Sequence, residues 1–486
     1  MKKYNINLRT IPIVRSVINI EGIDRLLIPF SAIKIPFILL FLLLTAVSCE
    51  KLVEADDPDN QIGTEQVFED LQSANAALSG LYSGLFTSSL ISGGSDGTGA
   101  LLGTYTDDLD CYYVNNNSGA LELFQNQQIP TNPMIEKTWN TAYQQIYAAN
   151  SIITGVSNSL SLAAEDKNRI KGEALLVRSL IYLYLQQIYQ EIPYTETTDY
   201  QINSHLSKLS REALLQKLEA DLNLAISLLS DTYRNAERIY PNKKVAELLL
   251  AKVYLLEQKW ALAEQLAGNI IQNPLYQLEQ DITKVFKKGG KHILWQLKPL
   301  NSGDSTKEAS LYYFSGSAPN AYALSTSLIN IFSGSDLRKQ AWMTPVTVSQ
   351  NTWYRAAKYK NLSGNADEYS VIFRLEEAYF IMAEALARQN KVTEALPYLN
   401  AIRQRAGIAP LTGTWSKDAF LQELLLEVRR EFFAEMGQRF IALKRFDRLG
   451  DLVTTKPNWK SYHTAWPLPQ KELLLNANLN PQNQGY

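Results

Sequence analysis

Residues 242–272 read NKKVAELLLAKVYLLEQKWALAEQLAGNIIQ, and this stretch decides the fold class. Apolar residues recur at three- and four-residue spacing on both sides of a short link, Glu257-Gln258-Lys259. The spacing predicts two helices, 242–257 and 259–272, folded back on one another. Small residues at Ala251, Ala261, Ala263 and Ala267 let the two backbones approach closely. Hairpins of this size with small contact residues are the unit of tetratricopeptide-like solenoids, where each pair buries its apolar stripe by stacking on the next. A second pair follows the same plan, from Ala383-Glu384-Ala385 into Val392-Thr393-Glu394-Ala395-Leu396-Pro397-Tyr398-Leu399.

Working outward, helical periodicity also marks 64–85, 134–157, 165–190, 210–230, 371–389, 392–406 and 417–436. The expectation is a mainly α chain with a tetratricopeptide-like helical-hairpin core. That core occupies residues 64–86, 134–272 and 371–436 of a single domain spanning 64–486. Two stretches interrupt it. Residues 87–133 are rich in Gly, Ser, Asn and aromatics, and 273–370 mix Gly/Ser/Asn turns with β-prone runs at Ile293–Leu297 and Pro345–Val348. Irregular insertions this long carry function more often than packing, so a binding surface is expected there.

The first 48 residues stand apart from the fold. Ile35 to Val47 carries no charge, follows a basic stretch ending at Lys34, and has the length of a signal-peptide core rather than a membrane span. It ends Thr45-Ala46-Val47-Ser48-Cys49, which resembles a bacterial lipobox with Cys49 as the lipidated first residue of the mature chain. A plain secretory signal with an incidental cysteine, or an N-terminal anchor helix, are the alternatives. Removing residues 1–48 takes six basic and two acidic residues and moves the net charge from −2 to −6. Residues 49–63, beginning CEKLVEADDPDNQ, form an acidic flexible tether that an anionic membrane surface would repel. The segment also resembles those that direct bacterial lipoproteins to the outer cell surface.

Chemistry is scarce. With 47 basic and 49 acidic residues there is no basic excess for nucleic acid. Two cysteines and three scattered histidines supply neither a disulfide framework nor a metal-ligand cluster. Gly93-Gly94-Ser95-Asp96-Gly97 fits the spacing of a nucleophile elbow but lacks the strand before it and the helix after it. No catalytic residue, metal or cofactor is expected. Aromatics remain: 26 Tyr, 8 Trp and 16 Phe. Those at helical spacing (Tyr143, Tyr147, Tyr182, Tyr184, Tyr254, Tyr379) are expected in the core. Those in the irregular stretches could stack on pyranose faces, and Tyr112, Tyr113, Tyr312, Tyr313, Trp342 and Trp353 are the candidate ligand-binding residues.

The C-terminal third holds a specific string. It runs Arg374-Leu375-Glu376-Glu377-Ala378-Tyr379, then Leu399-Asn400-Ala401-Ile402-Arg403-Gln404-Arg405-Ala406-Gly407, then Glu427-Val428-Arg429-Arg430-Glu431-Phe432-Phe433-Ala434-Glu435-Met436-Gly437-Gln438-Arg439-Phe440. The chain closes on Asn480-Pro481-Gln482-Asn483-Gln484-Gly485-Tyr486. With Trp139-Asn140-Thr141-Ala142-Tyr143 and Gly172-Glu173-Ala174 upstream, this order resembles the SusD/RagB family of nutrient-binding outer-membrane lipoproteins. The resemblance implies a SusD-like α/α superhelix anchored through the lipid on Cys49 to the outer membrane and facing the exterior. It implies a lid that captures oligosaccharides and passes them to a SusC-like TonB-dependent β-barrel transporter. Peptide or other nutrient capture, or a tetratricopeptide-type interaction scaffold, are the alternatives. Arg374, Glu377, Glu431, Glu435 and Arg439 are expected to form structural ion pairs between helices, with Arg374 and Glu377 on one helix face.

Overall fold

The computed structural model describes residues 64–486. The signal segment, Cys49 and the acidic tether lie outside the described residues. Among the described residues, eleven helices have eight or more residues. They are α1 (Leu71–Thr87), α2 (Thr98–Tyr105), α3 (Pro133–Asn158), α4 (Ala164–Tyr189), α5 (Arg211–Leu228), α6 (Lys243–Leu256), α7 (Trp260–Ile271), α8 (Leu375–Arg388), α9 (Val392–Arg405), α10 (Lys417–Phe432) and α11 (Gln438–Arg445). Side-chain caps fix several starts. Asn132 accepts from the Met134 and Ile135 amides with Pro133 in the first helical turn, and Ser210, Asn242 and Ser416 accept from the amides three residues on.

Helices α3 to α9 pack in sequence order, each against the next, so the quoted hairpin α6–α7 sits mid-solenoid. Helix α7 packs on α8 although 103 residues separate Ile271 from Leu375. The intervening segment leaves and returns at one place. Strand β2 (Ile293–Leu297) near its start pairs antiparallel with β6 (Ser370–Arg374) at its end, and both strands are wholly buried. Closing the loop at its own base lets the solenoid continue as if uninterrupted.

The insertion contributes most of a four-stranded antiparallel sheet in the order β1-β3-β5-β4, where β1 is Leu109–Cys111, β3 Tyr322–Leu324, β4 Met343–Val348 and β5 Asn351–Ala356. Two apolar cores result. The larger runs along the helices; the smaller lies beneath the sheet and includes Leu109, Phe286, Tyr322, Trp342 and Phe433.

The structure moves some expected boundaries. Helical periodicity from 64 is broken at Asp70, which caps α1 by accepting from the Ser73 amide. The helix expected from 371 starts at Leu375, because residues 370–374 are strand. The helix expected to 436 stops at Phe432, and Ala434 and Met436 take left-handed backbone angles. Within 87–133 the run Thr98–Tyr105 is a buried helix rather than a loop, with Gly97 at its N-terminus lying against the Ser92 carbonyl, where a Cβ would meet that oxygen at 1.7 Å.

Candidate functional site

A buried ionic cluster holds the insertion against the solenoid. Arg374 ends β6 in an extended conformation, which points its guanidinium at α10. It donates to Glu431 at 2.5 Å and to Glu435 at 3.0 Å. Glu431 also accepts from Arg338 of the insertion at 3.1 Å and from Arg405 of α9, and Arg405 donates in turn to Glu376 of α8. Arg338 pairs with Asp336 at 2.8 Å and Glu427 at 2.6 Å, and Lys358 of the insertion pairs with Glu435. Arg403 and Arg430 bridge Glu427 to Glu423. Among the described residues the cluster comprises six cations and six carboxylates, so it is neutral as a whole.

Burial alone would raise the Glu431 carboxyl, but Arg405, Arg374 and Arg338 outweigh it and hold its pKa far below the usual range. Lys358 is different. Burial pushes its ammonium down to about 8 despite the Glu435 partner.

Two placements differ from the helical reading. Arg374 and Glu377 share no helix face, since Arg374 is strand; Glu377 pairs instead with Lys252 of α6 and accepts from Gln438 at 3.2 Å. Arg439 turns away from Glu431 and Glu435 and donates to Asp107 at 2.9 Å, ahead of β1. Asp107 also meets Arg429 at 3.2 Å, and Arg429 donates to Asp108 at 2.8 Å. These bonds anchor the first strand of the sheet to α10 and α11.

The sheet thus fixed leaves its outer face partly open, with Asp110, Trp353 and Arg355 half-buried on it and Ala323 buried. Strand periodicity sorts the side chains. Tyr322, Leu324, Met343, Tyr354 and Ala356 belong to the small core beneath, while Trp353 and Arg355 alternate onto the other face. The chain beyond β1 stays paired, Tyr112 N–H donating to the Ala321 carbonyl at 2.8 Å, and the Trp353 side chain lies beside the Tyr112 hydroxyl, whose pKa burial raises. The Arg355 guanidinium lies 4.4 Å from the Tyr313 ring centroid and donates to the Phe314 carbonyl at 3.0 Å. Tyr313 is 42% exposed, and Tyr112 and Trp353 are half-buried. Asp110 sits beside Tyr112, its carboxyl raised by burial against the pull of Lys456.

Of the six candidate aromatics, the structure brings Tyr112, Tyr313 and Trp353 to this face. Tyr113 is half-buried edge-on to Tyr322, with ring centroids 5.4 Å apart. Tyr312 and Trp342 do not reach the surface. Trp342 fills the small core, its indole N–H donating to the Ile282 carbonyl at 2.9 Å and its ring edge-on to Phe286, because it ends a helix whose next residue enters the sheet. Tyr312 is packed beneath β3. Arg355 and Asp110 escaped the sequence reading, although period-two alternation from Trp353 could have found Arg355. Such a face can stack on apolar ring surfaces and hydrogen-bond hydroxyls. Among the described residues no group of three His, Cys, Asp or Glu could hold a metal ion.

Two family models match separate stretches of the chain. Residues 61–255 match a family model described as starch-binding and associating with the outer membrane, and residues 318–486 match that of the SusD family. Two curated relatives from Formosa agariphila align over nearly the whole chain. SusD-like protein P25 is 23% identical over 92% of this chain and 98% of its own, and SusD-like protein P2 is 26% identical over 93% and 99%. A SusD superfamily protein from Bacteroides vulgatus superposes with a TM-score of 0.75 at 20% identity, covering 86% of this chain and all of that one. A surface glycan-binding protein A from Bacteroides thetaiotaomicron, solved with laminarihexaose, gives 0.71 at 18% identity over 85% and 99%.

Proposed function

Because this chain belongs to the SusD/RagB family, we propose that it is a cell-surface glycan-binding protein whose outer sheet face captures oligosaccharides without altering them. The observation that carries this reading is the juxtaposition of Tyr112, Trp353 and the Arg355-stacked Tyr313 on one rigid face. Flat rings on one face offer stacking surfaces, and Asp110, Arg355 and the tyrosine hydroxyls supply directional hydrogen bonds. The relative solved with laminarihexaose and the starch-binding description of the first family model support a glucan-type ligand. Lipidation at Cys49 then holds the domain at the outer membrane, facing outward. From there it passes ligand to a SusC-like TonB-dependent barrel that it covers as a lid. Affinity electrophoresis of the purified protein through gels containing neutral polysaccharides tests the reading. Retardation by at least one glucan that Trp353→Ala weakens is expected. Binding to peptides alone, or cleavage of the glycan, would overturn it.

A further inference from the structure

Helix α3 carries a second aromatic surface that the sheet does not use. Trp139, Tyr143 and Tyr147 recur every four residues along it and so form one stripe. The stripe fits the helical-core pattern, yet only its first member is packed away. Trp139 is buried, Tyr143 is half-buried and Tyr147 is 55% exposed. A groove of about 660 Å³ runs over it, within the range of small-ligand sites. One wall is the loop after Ile192, where Tyr200 stands 81% exposed. The other wall is the C-terminal segment around Glu472 and Leu475.

The groove is held open by bonds between its walls. Ile192 and Leu209 bridge the base of the loop, Tyr143 donates to the Pro193 carbonyl at 2.7 Å, and Asn476 and Asn478 donate to the Leu206 and His205 carbonyls at 2.8 and 2.7 Å. Beside the aromatic stripe runs an amide stripe, Asn140 and Gln144, also four residues apart and also lining the groove. Glu472 adds one carboxylate, and among the described residues no Lys or Arg lines the groove.

We propose that this groove is a second carbohydrate-binding site, separate from the sheet face, that takes a neutral oligosaccharide. Tyr147 and Tyr200 supply the stacking rings, and Asn140, Gln144 and Glu472 supply the amide and carboxylate groups that grip vicinal hydroxyls. The polar stripe beside the rings favours a sugar over a purely apolar partner, and the lone carboxylate without a cation excludes acidic sugars. The site does not depend on the sheet face, so the two readings fail separately.

The test titrates Trp353→Ala/Tyr313→Ala protein, with the sheet face disabled, against a panel of neutral hexose oligosaccharides including laminarihexaose and maltohexaose, with a uronic-acid oligomer as the charged control. Residual binding to a neutral member is expected, weakened about tenfold or more by Tyr147→Ala/Tyr200→Ala and also weakened by Gln144→Ala. Both tyrosines are exposed, so the variants should melt like their parent. No binding to any neutral member, binding indifferent to the groove substitutions, or preference for the uronic-acid oligomer would overturn the proposal.

Discussion

Replacing Glu431 by Gln probes the joint between insertion and solenoid. Three guanidiniums converge on this one carboxylate: Arg374 at 2.5 Å, Arg338 at 3.1 Å, and Arg405. Glu431→Gln keeps the side-chain volume but leaves six cations facing five carboxylates where the central members are out of water. Removing one partner from a buried pair costs about 3–5 kcal/mol, because the remaining charge stays buried and uncompensated. Gln retains one acceptor oxygen, so a loss of about 3 kcal/mol is expected. Urea unfolding followed by far-UV circular dichroism reads it, and hydrogen exchange should show faster amides in β2 and β6. The acid limb is a second readout. The Glu431 pKa is depressed in the folded state. Its contribution is therefore full above the unfolded carboxylate value of about 4.3 and is lost as pH falls toward the folded pKa. The Gln variant should lose stability less steeply than wild type below about pH 4. A stability change under about 0.5 kcal/mol, with the acid limb unaltered, would refute the reasoning that this cluster fastens the insertion.

Three lysines set a slope of the same sign at higher pH. Burial lowers Lys444 to about 7, helped by Arg211, and lowers Lys358 and Lys456 to about 8. Unfolded lysines stay protonated to about 10.4, so the unfolded state binds more protons and stability should rise from pH 7 to 9; Lys444→Met should flatten that rise in thermal melts. Trp342→Ala should cost about 3–5 kcal/mol in urea unfolding by opening a cavity in the small core, whereas Trp353→Ala should cost under about 1 kcal/mol and act on ligand affinity. Asp107→Asn removes the shared partner of Arg429 and Arg439 and should lower stability by about 3 kcal/mol, with exchange increasing first at β1.

The helical hairpins were legible because their apolar spacing and capping residues act locally: Asn242 and the link at 257–259 mark α6 and α7 without knowledge of the rest. Arg374 shows where that reading stops. Its neighbours continue a helical pattern, but pairing with β2, about 80 residues earlier, makes it strand and turns it toward Glu431. Exposure was the least legible property. Periodicity says which side chains share a face, not what covers it. Trp342 in a loop-rich stretch is sealed by Phe286 and Phe433, and Tyr147 on a core-like stripe is left in solvent. The ion pairs were foreseen by residue type, yet Arg439 and Glu377 found partners, Asp107 and Lys252, that no local spacing links to them.

The most direct test of the central claim is a crystal structure of the protein soaked with whichever neutral oligosaccharide it binds in gels. Pyranose rings are expected stacked along the outer sheet face against Trp353, Tyr112 and Tyr313, with hydroxyls within hydrogen-bond distance of Arg355 or Asp110. Sugar density elsewhere on the molecule with this face left bare would contradict it.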